Sequence, residues 1–338
     1  MDISLEIPVS SEKLDLKDKK ILLMLSENAR APMSAIAKVV GLSRDSVKYR
    51  IDGYRKGGIL KGEVTVVNVS KLGYDAYHIF LRLSNPSKDA EGSIIGDIGR
   101  MPHVRAILKF FGSYDLEIVV IAKNLGQFDI VLTEIISISR EFIQDYEIMV
   151  ITKAYAAKAF PDSFFKGIDT GRTNLKLKKS IGIDYMPDKK DLQIMKMLRN
   201  DARMPAVEIA DKLGLSQDAV SYRLKKLMEN IIVDFIPAIN YRPLGYTIHA
   251  ILLNISPLDK ETDKKLGNFL SNNENVLWAV KTIGRFNLLA YICTRKESEL
   301  QDTINQLRSM FPEQIKHYES LLGFDIHKYT YAPDCLFD

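Results

Sequence analysis

The sequence predicts an α+β fold built twice: two tandem modules, each a (winged) helix-turn-helix followed by a ferredoxin-like βαββαβ domain. Three observations predict it: a long internal repeat, helical periodicity early in each copy, and strand-type alternation in the remainder. The stretch ARAPMSAIAKVVGLSRDSVKYRI (29–51) returns as ARMPAVEIADKLGLSQDAVSYRL (202–224), identical at 12 of 23 positions with an offset of 173. After one lost residue the offset becomes 172, so that Leu72-Gly73-Tyr74 meets Leu244-Gly245-Tyr246 and Pro161-Asp162 meets Pro333-Asp334. A period this long is a duplicated module, since solenoid repeats run to about 20–50 residues.

The 338 residues are 46% apolar and 27% charged, which excludes disordered and collagen-like classes. No apolar run approaches the ~18–20 residues of a bilayer crossing. The first ten residues, MDISLEIPVS, lack the basic region of a signal peptide. Cys293 and Cys335 are too few for a disulfide framework, and no CxxC is present. The expectation is a cytoplasmic chain that needs no metal and no cofactor. The net charge of +4 names no partner by itself.

Each copy opens with three helices. Ile21, Met24 and Leu25, repeated as Ile194, Met197 and Leu198, form a one-faced stripe. Pro32 and Pro205 suit the first position of the next helix, where a missing N–H costs nothing. Gly41 and Gly214 suit its left-handed end, and Ala37 and Ala210 allow close helix crossing. Ser43 and Ser216 suit the N-cap of the third helix, expected at about 44–56 and 217–229, with Val47, Ile51, Tyr54 and Val220, Leu224, Leu227 inward. The last two helices, joined by a tight turn, read as a helix-turn-helix whose third helix is free to enter a major groove. Its outer face carries Arg44, Asp45, Lys48, Tyr49 and Arg55 in copy one, and Gln217, Asp218, Ser221, Tyr222 and Lys225 in copy two. A helical hairpin that merely packs against protein has the same periodicity.

Strand signals follow. Residues 64–69 are β-branched, 77–83 alternate, 88–100 are helical, and 104–111 and 114–122 form a hairpin about Gly112-Ser113. An amphipathic helix at 125–141 and a strand at 146–152 complete βαββαβ. The uncovered sheet face is expected to pack on a second such sheet, from the same chain or another. The predicted boundaries are 1–62 and 184–235 for the helical domains, 63–165 and 236–338 for the ferredoxin-like domains, and 166–183 for a linker. That linker carries Lys166, Arg172, Lys176, Lys178 and Lys179 against Asp169.

In this order the modules resemble the leucine-responsive (Lrp/AsnC, feast/famine) family of transcriptional regulators. Asp18, Ala29-Arg30, Ile36-Ala37, Gly41-Leu42-Ser43, Val47, Arg50-Ile51 and Gly58-Ile59 carry the resemblance, with Asp191, Ala202-Arg203, Ile209-Ala210, Gly214-Leu215-Ser216, Val220 and Arg223-Leu224 in copy two. The resemblance implies double-stranded DNA as partner, self-association through the ferredoxin-like domains, and an amino-acid effector. Arg50 and Arg223 match a family arginine and read equally as phosphate clamps or as structural hydrogen bonders. Gly112, Ser113, Tyr114 and Asp115, matched by Gly284, Arg285 and Asn287, resemble the family's effector loop. Asp115 suits the ammonium of an amino acid by a charge-assisted bond, and suits a turn equally well; Asn287 would hold an ammonium less well.

Charge separates the copies. Residues 15–60 hold ten cations against five anions, whereas 184–235 hold nine of each, so copy one is expected to dominate DNA affinity. Two other readings stand beside the regulator. Two heads on one chain suit an architectural protein that bridges duplexes with little sequence preference. Enzymes that trim side chains from sirohaem share this architecture, but His78, His103, His249, His317 and His327 find no histidine at the matching position of the other copy, and no nucleophile stands beside an evident base.

Overall fold

The computed structural model describes residues 14–168 and 185–337. The N-terminal segment and, beyond Ile168, the expected linker lie outside the described residues. The first head comprises α1 (Leu16–Glu27), α2 (Met33–Val40) and α3 (Arg44–Lys56); the second comprises α6 (Lys189–Asn200), α7 (Ala206–Leu213) and α8 (Gln217–Asn230). Helix α1 starts on a capping box in which Asp15 accepts from the Asp18 amide and Asp18 accepts from the Asp15 amide, both at 2.8 Å. Asp188 and Asp191 repeat it on α6. Pro32 and Pro205 sit one residue earlier than expected, at the N-caps of α2 and α7, where their carbonyls accept from the Ile36 and Ile209 amides at 3.1 Å. Ser43 and Ser216 cap α3 and α8 through the amides of Ser46 and Ala219. Val47, Ile51, Tyr54, Val220 and Leu227 are buried as the periodicity requires, and Leu224 is half-buried.

Between head and sheet lie β1 (Leu60–Val67) and β6 (Ile232–Ile239), which pair with each other as a two-stranded antiparallel ribbon, Leu60 opposite Ile239 and Val64 opposite Ile236. The ribbon belongs to neither module alone. The heads are crossed over it, α1 packing on β6 and α6 on β1.

The first ferredoxin-like domain runs β2 (Asp75–Leu83), α4 (Lys88–Arg100), β3 (Val104–Phe111), β4 (Leu116–Ala122), α5 (Leu125–Ser139) and β5 (Ile143–Ala157). The second runs β7 (Thr247–Ile255), α9 (Lys260–Asn272), β8 (Val276–Ile283), β9 (Leu288–Thr294), α10 (Glu297–Met310) and β10 (Ile315–Tyr329). The sheets, β3-β4-β2-β5 and β8-β9-β7-β10, join edge to edge through β5·β8 and β10·β3 into one closed eight-stranded barrel. Strand β5 therefore runs well past the expected 146–152. Its second half has no partner in its own module and is held by β8, Val150 opposite Ile283 and Ala157 opposite Trp278. The helices cover the outer faces with Ile94, Ile98, Leu132 and Ile135, and with Leu266, Leu270, Ile304 and Leu307. Phe80, Phe110, Met149, Leu252, Phe286 and Leu321 fill the space between the halves.

Each head rests on the other module's sheet. Ile21, Ile36 and Ile51 share a core with Phe160 and Phe164 of the first tail and with Leu244 and Tyr246 of the second module. Ile194, Ile209 and Val220 share theirs with Val69, Tyr74 and Ile121 of the first module and Leu336 of the second tail.

The β3–β4 and β8–β9 turns press against the opposite half. A Cβ on Gly112 (φ +147°) would meet Leu321 Cδ2 at 2.7 Å, and one on Gly284 (φ +151°) would meet the Ile148 carbonyl oxygen at 2.5 Å. A side-chain methyl can yield; the backbone carbonyl of Ile148, in the stretch of β5 paired with β2 opposite Ile79, cannot. Backbone strain is common to both, so Gly284→Ala should cost more stability than Gly112→Ala by about 1–3 kcal/mol from overpacking. Paired thermal melts check this, with Gly112→Ala the milder of the two.

Candidate nucleic-acid interface

The outer faces of α3 and α8 are open. Arg44, Asp45, Lys48, Tyr49 and Arg55 are exposed in the first head, and Gln217, Asp218, Ser221, Tyr222 and Lys225 in the second, with Tyr49 at 81% and Tyr222 at 61% exposure. Tyr222 carries the Lys226 ammonium over its ring at 5.0 Å. Ser43 and Ser216 are spent as N-caps, although their residues stand at the exposed helix start.

The two matched arginines belong to the frame. Arg50 Nη1 donates to Asp18 at 2.6 Å and to Asp15 at 2.9 Å, so α3 is tied to the capping box of α1. Arg223 does the same with Asp188 at 2.7 Å and Asp191 at 2.9 Å. Donating hydrogen bonds to Asp18 and Asp15 pushes the Arg50 guanidinium upward, and donating to Asp188 and Asp191 raises Arg223. Burial, together with a hydrogen bond to Asp18, raises the Tyr54 phenol, which donates to the same carboxylate at 2.7 Å. Of the two readings left open by the sequence, the geometry is that of structural hydrogen bonding. Arg55 is also engaged, with Asp52 at 3.1 Å and with Glu63 of β1 at 2.7 Å. Among the described residues, Arg44 and Lys48 enter no ion pair.

The heads are latched to each other at the turns between their first two helices. Arg30 donates to the carbonyls of Ala202 and Met204, and Arg203 reciprocally to those of Ala29 and Ala31. Burial, with the second guanidinium nearby, lowers Arg30 from its usual range. The Ala29 amide donates to the Phe235 carbonyl at 2.8 Å, which pins the first turn to the ribbon. These two cations therefore serve the frame as well.

The loops resembling an effector site lie where the halves meet. Asp115 Oδ2 accepts from the Leu83 amide at 2.7 Å, and Asn287 Oδ1 from the Ile255 amide at 2.7 Å. Of the two readings of Asp115, the geometry is that of the turn: β4 ends opposite Leu81, and the aspartate accepts from the Leu83 amide beyond it. Asn287 does the same work with an amide, which explains why the Asp-to-Asn difference leaves the loop unchanged. Ser113 hydrogen-bonds Glu319, and the Arg285 amide donates to Glu147 at 2.9 Å. Tyr114 is buried. Burial raises Glu147 above the usual carboxylate range.

One polar group escaped the sequence reading. Inside the barrel His78 Nδ1 is 2.5 Å from Glu117 Oε1, and the Tyr291 hydroxyl donates to Glu117 Oε2 at 2.5 Å. Glu117 is fully buried, and Trp278 stacks on both rings, at 5.6 Å from His78 and 5.1 Å from Tyr291. At the 172-residue offset the counterparts are Ala250, Leu289 and Val119, so the trio exists in one half only. The signal was there: Glu117 interrupts the otherwise apolar run LEIVVIA, and a charge in a buried strand demands partners. Among the described residues no cluster could hold a metal ion, and no helix is long and apolar enough to cross a membrane.

An AsnC-type helix-turn-helix domain is matched over residues 14–55 and again over 188–228. An uncharacterized HTH-type transcriptional regulator of Pyrococcus horikoshii is 31% identical over 136 residues, covering 40% of this chain and 85% of that protein. The regulatory protein AsnC of Haemophilus influenzae is 28% identical over 137 residues, 40% of this chain and 90% of that protein. Among solved structures, the siroheme decarboxylase NirDL superposes over 93% of both chains with a TM-score of 0.61 at 13% identity, a likeness of fold alone. Two matched heads, and relatives covered nearly end to end, lead to one conclusion: the chain belongs to the Lrp/AsnC family of helix-turn-helix transcriptional regulators, with the family's module duplicated in tandem.

Proposed function

We propose that the chain regulates transcription by sequence-specific binding to double-stranded DNA, with α3 and α8 each entering a major groove. The observation that carries this reading is the pair of exposed helix faces, free of internal partners at Arg44, Lys48, Gln217 and Ser221, on a frame that absorbs the neighbouring arginines. If both heads engage one face of a duplex, their half-sites lie about one turn, ~34 Å, apart. An effector of amino-acid type is proposed at loops 112–115 and 284–287. There Asp115 and Asn287 shape the turn, and Glu147 and Glu319 supply the charge. The barrel leaves no strand edge for further self-association, and the two-stranded β1–β6 ribbon keeps its outer edges.

Each phosphate contact contributes about 0.9 to the slope of log affinity against log salt. Arg44→Ala and Lys48→Ala should lower affinity more than Gln217→Ala and Ser221→Ala, and should flatten the salt dependence by about one slope unit per lost phosphate contact. Binding titrations across a salt series check it; equal losses in the two heads would refute the dominance of the first. A regulator should also prefer its site over random DNA by roughly 10³ or more, whereas an architectural protein should not.

Arg50→Ala serves as the contrasting variant. It leaves the mostly covered Asp18 carboxylate short of its cation and should destabilise the fold by about 1–3 kcal/mol, while the folded variant keeps its DNA affinity within about twofold. Asp188 lies below its ordinary range because the Asp191 amide and the Arg223 guanidinium favour its charged form. Its stabilisation is therefore full at neutral pH and is lost as pH falls through that depressed value. Melting temperatures followed from pH 7 downward should drop in the parent chain and drop less in Arg223→Ala.

A second reading is favoured by one observation, the buried His78–Glu117–Tyr291 trio on a fold shared with a siroheme decarboxylase. An imidazole oriented by a carboxylate is what proton transfer needs. Its surroundings are filled, however: Met149 lies opposite His78 across the strands, and Trp278 covers the ring. Trp278 is the only tryptophan, so its emission reports on the trio directly. Added iron uroporphyrin should leave that emission unchanged; quenching with a shifted Soret band, followed by carbon dioxide release from sirohaem, would establish the enzyme instead.

A further inference from the structure

Resting on the DNA-binding reading, we infer that the cognate site is not a palindrome but an ordered pair of unlike half-sites, guanine-bearing under α3 and adenine-bearing under α8. A homodimeric helix-turn-helix protein presents the same helix twice, and the two-fold symmetry of the protein appears in the DNA as a palindrome. Here the two heads are alike in frame and unlike in surface.

The frame repeats in its latch and in its capping boxes. The latch uses Arg30 on Ala202 and Met204, and Arg203 on Ala29 and Ala31. The capping boxes of Asp15 and Asp188 bind Arg50 and Arg223 alike. Asp45 and Asp218, and Tyr49 and Tyr222, occupy the same surface positions and are exposed in both heads. The latch, the capping boxes and these surface positions are thus shared, whereas Arg55, held by Asp52 and Glu63, is matched by Met228.

What differs is the pair of side chains on the first turns, where recognition helices touch base edges. Arg44 stands where Gln217 stands, and Lys48 where Ser221 stands, all four exposed. Arginine and lysine donate to the O6 and N7 acceptors of guanine. Glutamine pairs bidentately with N6 and N7 of adenine, and serine bonds to either base. The third turn differs as well, with Asp52 matched by Lys225. Because both heads belong to one chain and are latched, they cannot exchange places. The protein then docks in one direction only, and the complex has a polarity along the DNA that a symmetric dimer lacks.

The test is selection from a random duplex library with the full chain, followed by affinity measurements on the enriched sequence and on its two symmetrised versions. The expected outcome is a sequence unlike its own reverse complement, with each symmetrised version bound at least about fivefold more weakly, the lower end of discrimination by one bidentate contact. The double variant Arg44→Gln/Lys48→Ser gives the first head the leading-turn surface of the second. It should melt like the parent and select a site close to a palindrome. A palindromic site for the parent, or an unchanged site for the double variant, overturns the inference while leaving DNA binding intact. Failure to retain any duplex at low salt overturns the DNA-binding reading beneath it.

Discussion

A four-stranded ferredoxin-like sheet ends in two rows of backbone amides and carbonyls without strand partners, and such edges invite association. In this chain each half supplies what the other lacks. Strand β5 takes β8, β10 takes β3, and the sheet closes without an edge. Closure encloses an interior that neither half could form alone, packed by Phe80, Phe110, Met149, Phe286 and Leu321. It also sets the positions of the heads, because the β1–β6 ribbon that carries them crosses from one half to the other.

The same crossing governs the electrostatics of the heads. Counted along the chain, the first head is markedly more basic than the second. In the folded molecule much of that charge is internal. Arg50 and Arg223 hold the third helix to the capping box, Arg30 and Arg203 join the heads, and Arg55 is divided between Asp52 and Glu63. Arg44 and Lys48 remain as cations facing outward on the leading turns, against Gln217 and Ser221. On those leading turns the charge difference between the heads comes down to these two side chains.

Inside the barrel the halves are unequal too. A fully buried carboxylate is costly unless both oxygens are satisfied, and Glu117 meets that condition only by drawing His78 from its own half and Tyr291 from the other. The trio therefore ties the modules together through hydrogen bonds that cannot be remade elsewhere, whatever further use the imidazole has. The effector-like loops have a comparable structural duty, since Asp115 and Asn287 close the ends of β2 and β7 with the same bond to a backbone amide.

Local signals made much of this legible. Caps, apolar stripes and turn glycines are short-range, so the three helices of each head and the order βαββαβ could be read from residues close together in the chain. So could the duplication, which is a property of the sequence itself. The length of β5, the ribbon of β1 with β6, and the partners of His78 and Arg30 depend on residues roughly a hundred or more positions away in most cases, and no local pattern encodes such a meeting. Residue types determined which elements would form and which faces would be apolar. Which edges would meet, and therefore which arginines would be joined across the modules, was decided only when two open sheets had no unpaired backbone left to offer except to each other.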